Sequence, residues 1–263
     1  MTTDLSPSDY DAFAPFYDAF TAASDYEHWA AQVLELVERH GLRGRSVLDV
    51  ACGTGKSFLP LLRRGWAVTG CDFSPAMLAE AALKAPGVPL VPADLRRLPE
   101  LGRFDLVTCV DDSLNYLRDR DELERAFAGI AANLAPGGVF VFDLNTLLAY
   151  RSTFARDSVT ETDGTLFVWR GESSAGAPEG CFATATIEIF SPRDDGSYER
   201  VTTRHEQRHF PRAEVVDLLE HAGLRCVAVH GALDSGELVE HADEDAHLKV
   251  MYIATPMEGG DAE

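Results

Sequence analysis

The sequence predicts an α/β fold: a mostly parallel seven-stranded sheet with an antiparallel β subdomain inserted late in the chain. Short apolar runs alternate with helical patterns up to about Tyr150, as βα units around a parallel sheet require. From there to about Pro211 the alternation becomes period-two, the pattern of half-buried antiparallel strands. A helical stretch, AEVVDLLEHAG, and two apolar runs, LRCVAVHG and LKVMYIAT, then rejoin the main sheet. The expected organisation is therefore a helical start and parallel core over 1–150, an insertion over 151–211, and the rest of the core over 212–263.

The first segment carries Tyr10, Phe13, Phe16, Tyr17, Phe20, Tyr26 and Trp29, whose spacings of three and four suit one helix face. SVLDVAC, AVTGCD, VPLVPAD, FDLVTCV and GVFVFDLN supply five strands. Between them lies the helix PAMLAEAALKA, with Ser74 as N-cap and Pro75 at the first helical position. A second, DRDELERAFAGIAANL, ends at Pro136, Gly137 and Gly138. The insertion reads as strands TLFVWRGE, CFATATIEIF and YERVTTRHEQRHF, with DDG turning the chain between the last two.

At 263 residues and 46% hydrophobic content, the chain can bury one sizeable core. No window approaches ~18 uninterrupted apolar residues, and the acidic start MTTDLSPSDYDAF lacks an apolar signal region, so a cytoplasmic protein without a membrane span is expected. Cys52, Cys71, Cys109, Cys181 and Cys226 are scattered without a CxxC pair, which argues against a disulfide framework or a cysteine zinc site. A net charge of −20 opposes nucleic-acid binding, because that affinity comes from clustered Lys and Arg. Acidity favours cationic partners, or serves solubility alone.

The chemistry concentrates in VLDVACGTG, Val47 to Gly55, where Gly53 and Gly55 permit a tight turn and close approach to a ligand. A dinucleotide fingerprint needs a third glycine where Phe58 stands. A phosphate-binding loop would match at Gly55, Lys56 and Ser57, but its first glycine is Val50 here. Asp72 closes the second strand nineteen residues after Gly53, where an acid can take two ribose hydroxyls.

This ordered set resembles motif I and the following motifs of the class I S-adenosylmethionine-dependent methyltransferases, which have a Rossmann-like fold. The resemblance implies S-adenosyl-L-methionine as cofactor, with Asp72 on the ribose, Phe73 and Met77 flanking the adenine, and Asp94 with Leu95 at the adenine edge. It further implies backbone contacts from Ala51 and Gly53, with Gly55 in the same loop, and Asp49 near the methionine end. Duller readings remain: Asp72 as a turn residue, Met77 as core. SDYEHW, VLDVACGTG, CDFSPAML and CVDDSLNYL resemble the glycine and sarcosine N-methyltransferases and the N-methyltransferases of antibiotic aminosugars, over about Tyr10 to Asn145. That likeness places Val110 and Tyr116 on the cofactor and implies a lid of the aromatic helix, for which Tyr17 and Trp29 are the candidates; packing against the sheet is the alternative. Asp112 falls where the glycine enzymes carry a substrate-binding asparagine. A carboxylate there would repel a carboxylate substrate, so a small-molecule amine fits better than glycine; oxygen or carbon acceptors are the alternatives.

Methyl transfer from a sulfonium needs alignment and exclusion of water rather than a metal. Asp112, Tyr116 and His205 are the acid–base candidates, against roles as a helix cap, a core residue and a strand histidine. HEQRH, His205 to His209, matches the HExxH zinc-protease pattern, but VTTR before it and Pro211 after it indicate a strand, on which the histidines sit ~13 Å apart. Where amino-methylating DNA enzymes carry a motif such as DPPY, this chain has DDSLNYL. Arg200, Arg204 and Arg208 alternate along a strand, facing an anion or solvent, and the oligomeric state stays open, a homodimer included.

Overall fold

The computed structural model describes residues 7–233 and 235–257. Helices α1 (Pro7–Phe20) and α2 (Tyr26–Arg39) precede β1 (Ser46–Val50), α3 (Leu59–Arg63), β2 (Ala67–Asp72), α4 (Pro75–Lys84), β3 (Leu90–Pro92), β4 (Phe104–Cys109), α5 (Arg120–Asn133) and β5 (Leu134–Asn145). After α6 (Leu147–Arg151) come four strands: β6 (Asp157–Thr162), β7 (Thr165–Gly171), β8 (Phe182–Pro192) and β9 (Tyr198–Arg208). Helix α7 (Arg212–His221) returns the chain to β10 (Leu224–Ala232), β11 (Leu238–Val239) and β12 (Lys249–Pro256).

The main sheet has the order β11-β10-β12-β5-β4-β1-β2-β3, with β1 to β5 parallel and β12 antiparallel to β5. The chain moves outward from β1 to β3 and then restarts at β4 on the other side of β1. That reversal opens a crevice at the carboxyl ends of β1 and β4, where open α/β sheets bind ligands. Seven strands of this sheet are those the sequence predicts; the eighth is the two-residue edge β11.

Both faces of the sheet are covered, and the period of two sorts the side chains. Phe140 and Phe142 of β5 join Phe127, Leu218 and Tyr252 on one face, while Val139 and Val141 join Val37, Leu61 and Ile253 on the other. Phe142 lies in a stack, 4.6 Å from the Phe140 ring and 4.8 Å from Tyr252. Ser74 caps α4 by accepting from the Met77 N–H, with Pro75 following it, as its sequence indicates.

The second sheet has the order β6-β7-β8-β9, antiparallel throughout. Strand β6 has no counterpart in the sequence reading, because it is exposed almost throughout and lacks an alternating signal. Its hairpin turn is Asp163-Gly164, both left-handed at φ 49° and 77°, as a tight two-residue turn demands. The aromatic face of α1 packs here: Phe13, Tyr17 and Phe20 meet Phe167, Ile187 and Ile189. Polar ties pin the same helix to the main core. Asp11 accepts from the Ser74 hydroxyl at 2.5 Å, and Asp18 from Thr54 and Lys84, each at 2.5 Å. Helix α1 thus bridges the two sheets across the crevice. Among the described residues no helix is long and apolar enough to cross a membrane.

Because Phe142 is fully buried between two stacked rings, Phe142→Ala is expected to cost about 3–5 kcal/mol of unfolding free energy in a urea titration. A loss under ~1 kcal/mol would place the ring outside the core.

Candidate functional site

The crevice holds a first cavity shaped by the turn after β1. Ala51, Gly53 and Gly55 are all left-handed, at φ 55°, 51° and 85°. A Cβ on Gly53 would meet no protein atom within 4 Å, whereas one on Gly55 would lie 2.6 Å from the Phe58 ring. Gly53 therefore keeps space open for a ligand, and Gly55 serves the packing beneath. Asp72, at the end of β2, accepts the Gly53 N–H and the Ser74 N–H, each at 2.9 Å, and burial pushes its pKa up. Its carboxylate still lines the cavity, with acceptor capacity left on both oxygens. Tyr17, Ala51, Gly53, Phe73, Met77, Asp94, Leu95, Val110 and Tyr116 complete the wall from the predicted set. Asp94 caps the turn at 95–97, accepting the Arg96 N–H at 2.9 Å and Arg96 Nη2 at 2.8 Å. Burial works against its ionisation, but those Arg96 hydrogen bonds hold its pKa below the ordinary carboxylate value. An open glycine cradle facing an acid with spare acceptors, between Phe73 and Leu95, fits an adenosyl group.

Three predicted contacts lie off this wall: Asp49, Trp29 and Gly55, the last packed on Phe58. Asp49 lines neither this cavity nor the second one; it is buried, accepting from Ser57 at 2.5 Å and Thr108 at 2.6 Å. Burial pushes its pKa up to about 6, against those two hydroxyl donors. It therefore acts on the site through Ser57, which does line it. Trp29 lines a second cavity only, while Tyr26, three residues earlier on α2, lines both.

That second cavity, of about 730 Å³, is continuous with the first: Tyr10, Tyr17, Tyr26, Val110, Asp111 and Tyr116 line both. Its floor is the loop leaving β4, where Asp111 and Asp112 are consecutively left-handed at φ 58° and 52°. Lys249, the first residue of β12, places Nζ 2.5 Å from Asp112, 3.1 Å from Asp143 and 3.8 Å from Asp111. Burial disfavours the ammonium, yet three carboxylates outweigh it and raise the lysine pKa well above its ordinary value. Gln207 Nε2 donates to the other Asp112 oxygen, and Tyr26 OH donates to Asp111. Asp143 is pushed up to about 6 by burial, with Lys249 pulling against it. On the insertion side, Tyr116 OH is 3.0 Å from His205 Nδ1, and His205 Nε2 is 3.0 Å from the Thr203 hydroxyl. Burial lowers the His205 pKa to about 4, so the ring is neutral near pH 7.

A methyltransferase-domain family profile matches residues 47–138, which span β1 to the start of β5. Over almost its whole length the chain superposes on the crystal structure of an S-adenosylmethionine-dependent methyltransferase from Clostridium acetobutylicum. The TM-score is 0.80 at 26% identity, covering 95% of this chain and 99% of the other. The protein is an S-adenosylmethionine-dependent methyltransferase. YqeM of Bacillus subtilis, itself assigned only as a methyltransferase, is 28% identical over 82% of the enzyme and 86% of its own length. The dTDP-4-amino-2,3,4,6-tetradeoxy-D-glucose N,N-dimethyltransferase of Saccharopolyspora spinosa is 39% identical over 49% of the enzyme and 53% of its own length.

The enzyme brings its three acid–base candidates to the second cavity, with Tyr116 at the junction. None is a free base there. Asp112 is held by Lys249 and Gln207, and His205 has partners on both nitrogens. Tyr116 is buried, which raises its pKa and keeps it a phenol. Sequence reasoning placed Tyr10 and Tyr26 in the aromatic face without carrying them to the site, and it missed Asp111, Asp143, Gln207 and Lys249. Asp111 and Asp143 carry a signal, since each follows or ends a core strand; Lys249 carries none, because its partners lie over a hundred residues away.

HEQRH lies at the end of β9, and its histidines have separate partners: His209 accepts the Gly180 N–H and pairs with Glu244 at 2.8 Å. Among the described residues no group of three His, Cys, Asp or Glu could hold a metal. Arg200, Arg204 and Arg208 pair with Glu188, Glu172 and Glu214.

A carboxyl whose pKa rises on folding adds stability below its unfolded pKa and loses it as pH rises through the folded value. Asp49 therefore predicts falling stability between about pH 4 and 6. The Asp49→Asn variant, which cannot ionise, is expected to be flatter than the parent across that window by on the order of 2 kcal/mol in urea titrations. Parallel curves for the two proteins would contradict the assignment.

Proposed function

We propose that the enzyme methylates an amine nitrogen of a small-molecule acceptor held in the second cavity, with the adenosyl group in the first. The observation that carries this reading is the junction. Asp111 and Tyr116 line both cavities, so an acceptor drawn to these carboxylates sits beside the cofactor site.

Bound S-adenosyl-L-methionine supplies a methyl carbon activated by a sulfonium. Asp72 would accept hydrogen bonds from the ribose hydroxyls; Phe73, Met77 and Leu95 would wall the adenine, and Asp94, bonded to Arg96, would accept from the adenine amino group. Backbone at Ala51 and Gly53 meets the ligand, while Gly55 and Asp49 hold that turn in shape. Tyr17 and Val110 bound the passage to the acceptor.

An amine arrives as an ammonium, which Asp111 and the aromatic faces of the wall attract. It must lose one proton before attack. Asp111, the most exposed of the three carboxylates on Lys249, accepts that proton and passes it to water. The nitrogen lone pair would then take the methyl carbon that the cofactor supplies, the N–C bond forming as the carbon–sulfur bond gives its electrons back to sulfur. Tyr116, fixed by neutral His205, orients the acceptor, and Trp29 closes the outer wall. Proton removal contributes about 10²–10⁴ and alignment the larger share. A hydroxyl acceptor would need a stronger base during attack. His205, with a pKa near 4 and both nitrogens engaged, is poorly suited to that. The aminosugar relative, whose name states N,N-dimethylation, supports the amine reading.

Incubation with labelled cofactor and a panel of amines and hydroxylated metabolites is expected to add methyl groups to amines, read by product mass. Methylation confined to hydroxyl compounds would refute the reading. In calorimetry with S-adenosylhomocysteine, Asp72→Ala is expected to weaken binding about tenfold or more. Unchanged affinity would remove Asp72 from the ribose.

A further inference from the structure

A thymidine-diphosphate-linked aminosugar, such as the Saccharopolyspora spinosa relative's name specifies, brings a diphosphate with it. A site for such a group needs uncommitted cations or donors. The described basic residues lining the two cavities are Lys56, Arg96 and Lys249. Each is engaged. Lys56 Nζ is 2.8 Å from the Thr21 carbonyl and 3.3 Å from that of Asp18, closing the turn after α1, and faces the Tyr26 ring. Arg96 is bound to Asp94. Lys249 is enclosed by Asp111, Asp112 and Asp143.

The second cavity sets four lining carboxylates, those three and Asp25, against this one ammonium. Its histidine, His205, is neutral near pH 7. A diphosphate entering there would meet like charge on the floor and find no free cation to answer it. The wall is instead aromatic: Tyr10, Tyr17, Tyr26, Trp29, Phe154 and Trp169. Ring faces beside carboxylates favour a cation on an apolar body, since the ring quadrupole and the carboxylates attract the same charge. The enzyme's net charge of −20 steers in the same direction.

We infer that the acceptor is an unphosphorylated amine that binds as a cation on an apolar body, and not a nucleotide-linked aminosugar. This rests on the amine reading above and narrows it.

The test uses benzyltrimethylammonium, a permanent cation that cannot accept a methyl group, with its uncharged carbon analogue neopentylbenzene and with thymidine diphosphate. Each is titrated into the full chain with S-adenosylhomocysteine bound, reading tryptophan fluorescence and calorimetry. The cation is expected to bind at least about tenfold more tightly than the analogue, and thymidine diphosphate not to displace it. Asp111→Asn is expected to weaken the cation about fivefold or more, and by a larger factor than it changes the uncharged analogue. Equal affinity for charged and uncharged probes, or displacement of the cation by thymidine diphosphate, overturns the inference. The two-probe comparison needs no variant, so it decides even if Asp111→Asn does not fold. In a turnover assay, methylation of thymidine-diphosphate-linked aminosugars but not of free amines would sink this inference and leave the amine reading standing. Methylation of hydroxyl groups alone would sink the amine reading itself.

Discussion

One half-buried ammonium holds the acceptor side of the enzyme together. Lys249 faces Asp111 and Asp112 from the loop after β4 and Asp143 from the end of β5, three carboxylates that would repel one another without it. Removing one member of the set leaves charge uncompensated, at a cost that water at the cavity screens in part. The sheet order makes this arrangement possible. β5 lies between β4 and β12, and the register that pairs Met251 with Asp143 and Lys249 with Asn145 brings the lysine to the carboxyl end of β5. Two successive left-handed aspartates cost roughly 1–3 kcal/mol each. Tyr26 at the start of α2, Gln207 from β9 and Lys249 from β12 hold them in place, so a helix, the antiparallel sheet and the main sheet converge on one loop.

The cofactor side follows from a different constraint, the topological switch between β1 and β4. A parallel sheet that reverses direction there leaves strand ends bare, and the left-handed turn at 51–55 fills the gap without filling the cavity. Asp72 and Asp49 grip that turn from opposite sides, one through the Gly53 N–H and one through Ser57. Helix α1 spans the opening, tied by Asp11 and Asp18 to the core and by Phe13 and Phe20 to the second sheet. The aromatic face read as one helix is divided between α1 and α2, and its α1 part, Phe13 and Phe20, packs on the second sheet.

Legibility in the sequence tracked how local the cause is. The turn VLDVACGTG, the Ser74 cap with Pro75 and the strands β1 to β5 depend on short-range conformation and on burial of both sheet faces, and each is readable from a window of a dozen residues. Strand β6 escaped because its side chains face water and its hairpin rests on Asp163-Gly164 alone. Asp49 was placed on the right strand, but its depth depends on how Ser57 turns inward; Trp29 was placed on one helix face with Tyr10 to Phe20, and the structure puts it on a separate helix, α2. Of the acid–base candidates, sequence could bring Asp112, Tyr116 and His205 to one region. It could not show that Lys249 and Gln207 occupy the first, or that Thr203 and Tyr116 occupy the last. Those are contacts between segments about ninety residues apart or more, apart from the Thr203 bond, and no periodicity encodes them.

The central claim is that two joined cavities divide the work, the nucleoside in one and the acceptor in the other, meeting at Asp111 and Tyr116. A crystal structure with S-adenosylhomocysteine and benzyltrimethylammonium together tests it most directly. The account predicts ribose hydroxyls on the Asp72 carboxylate and the quaternary nitrogen among the aromatic rings above Asp111. Adenosine lodged away from the turn at 51–55, or both ligands competing for one cavity, would contradict it.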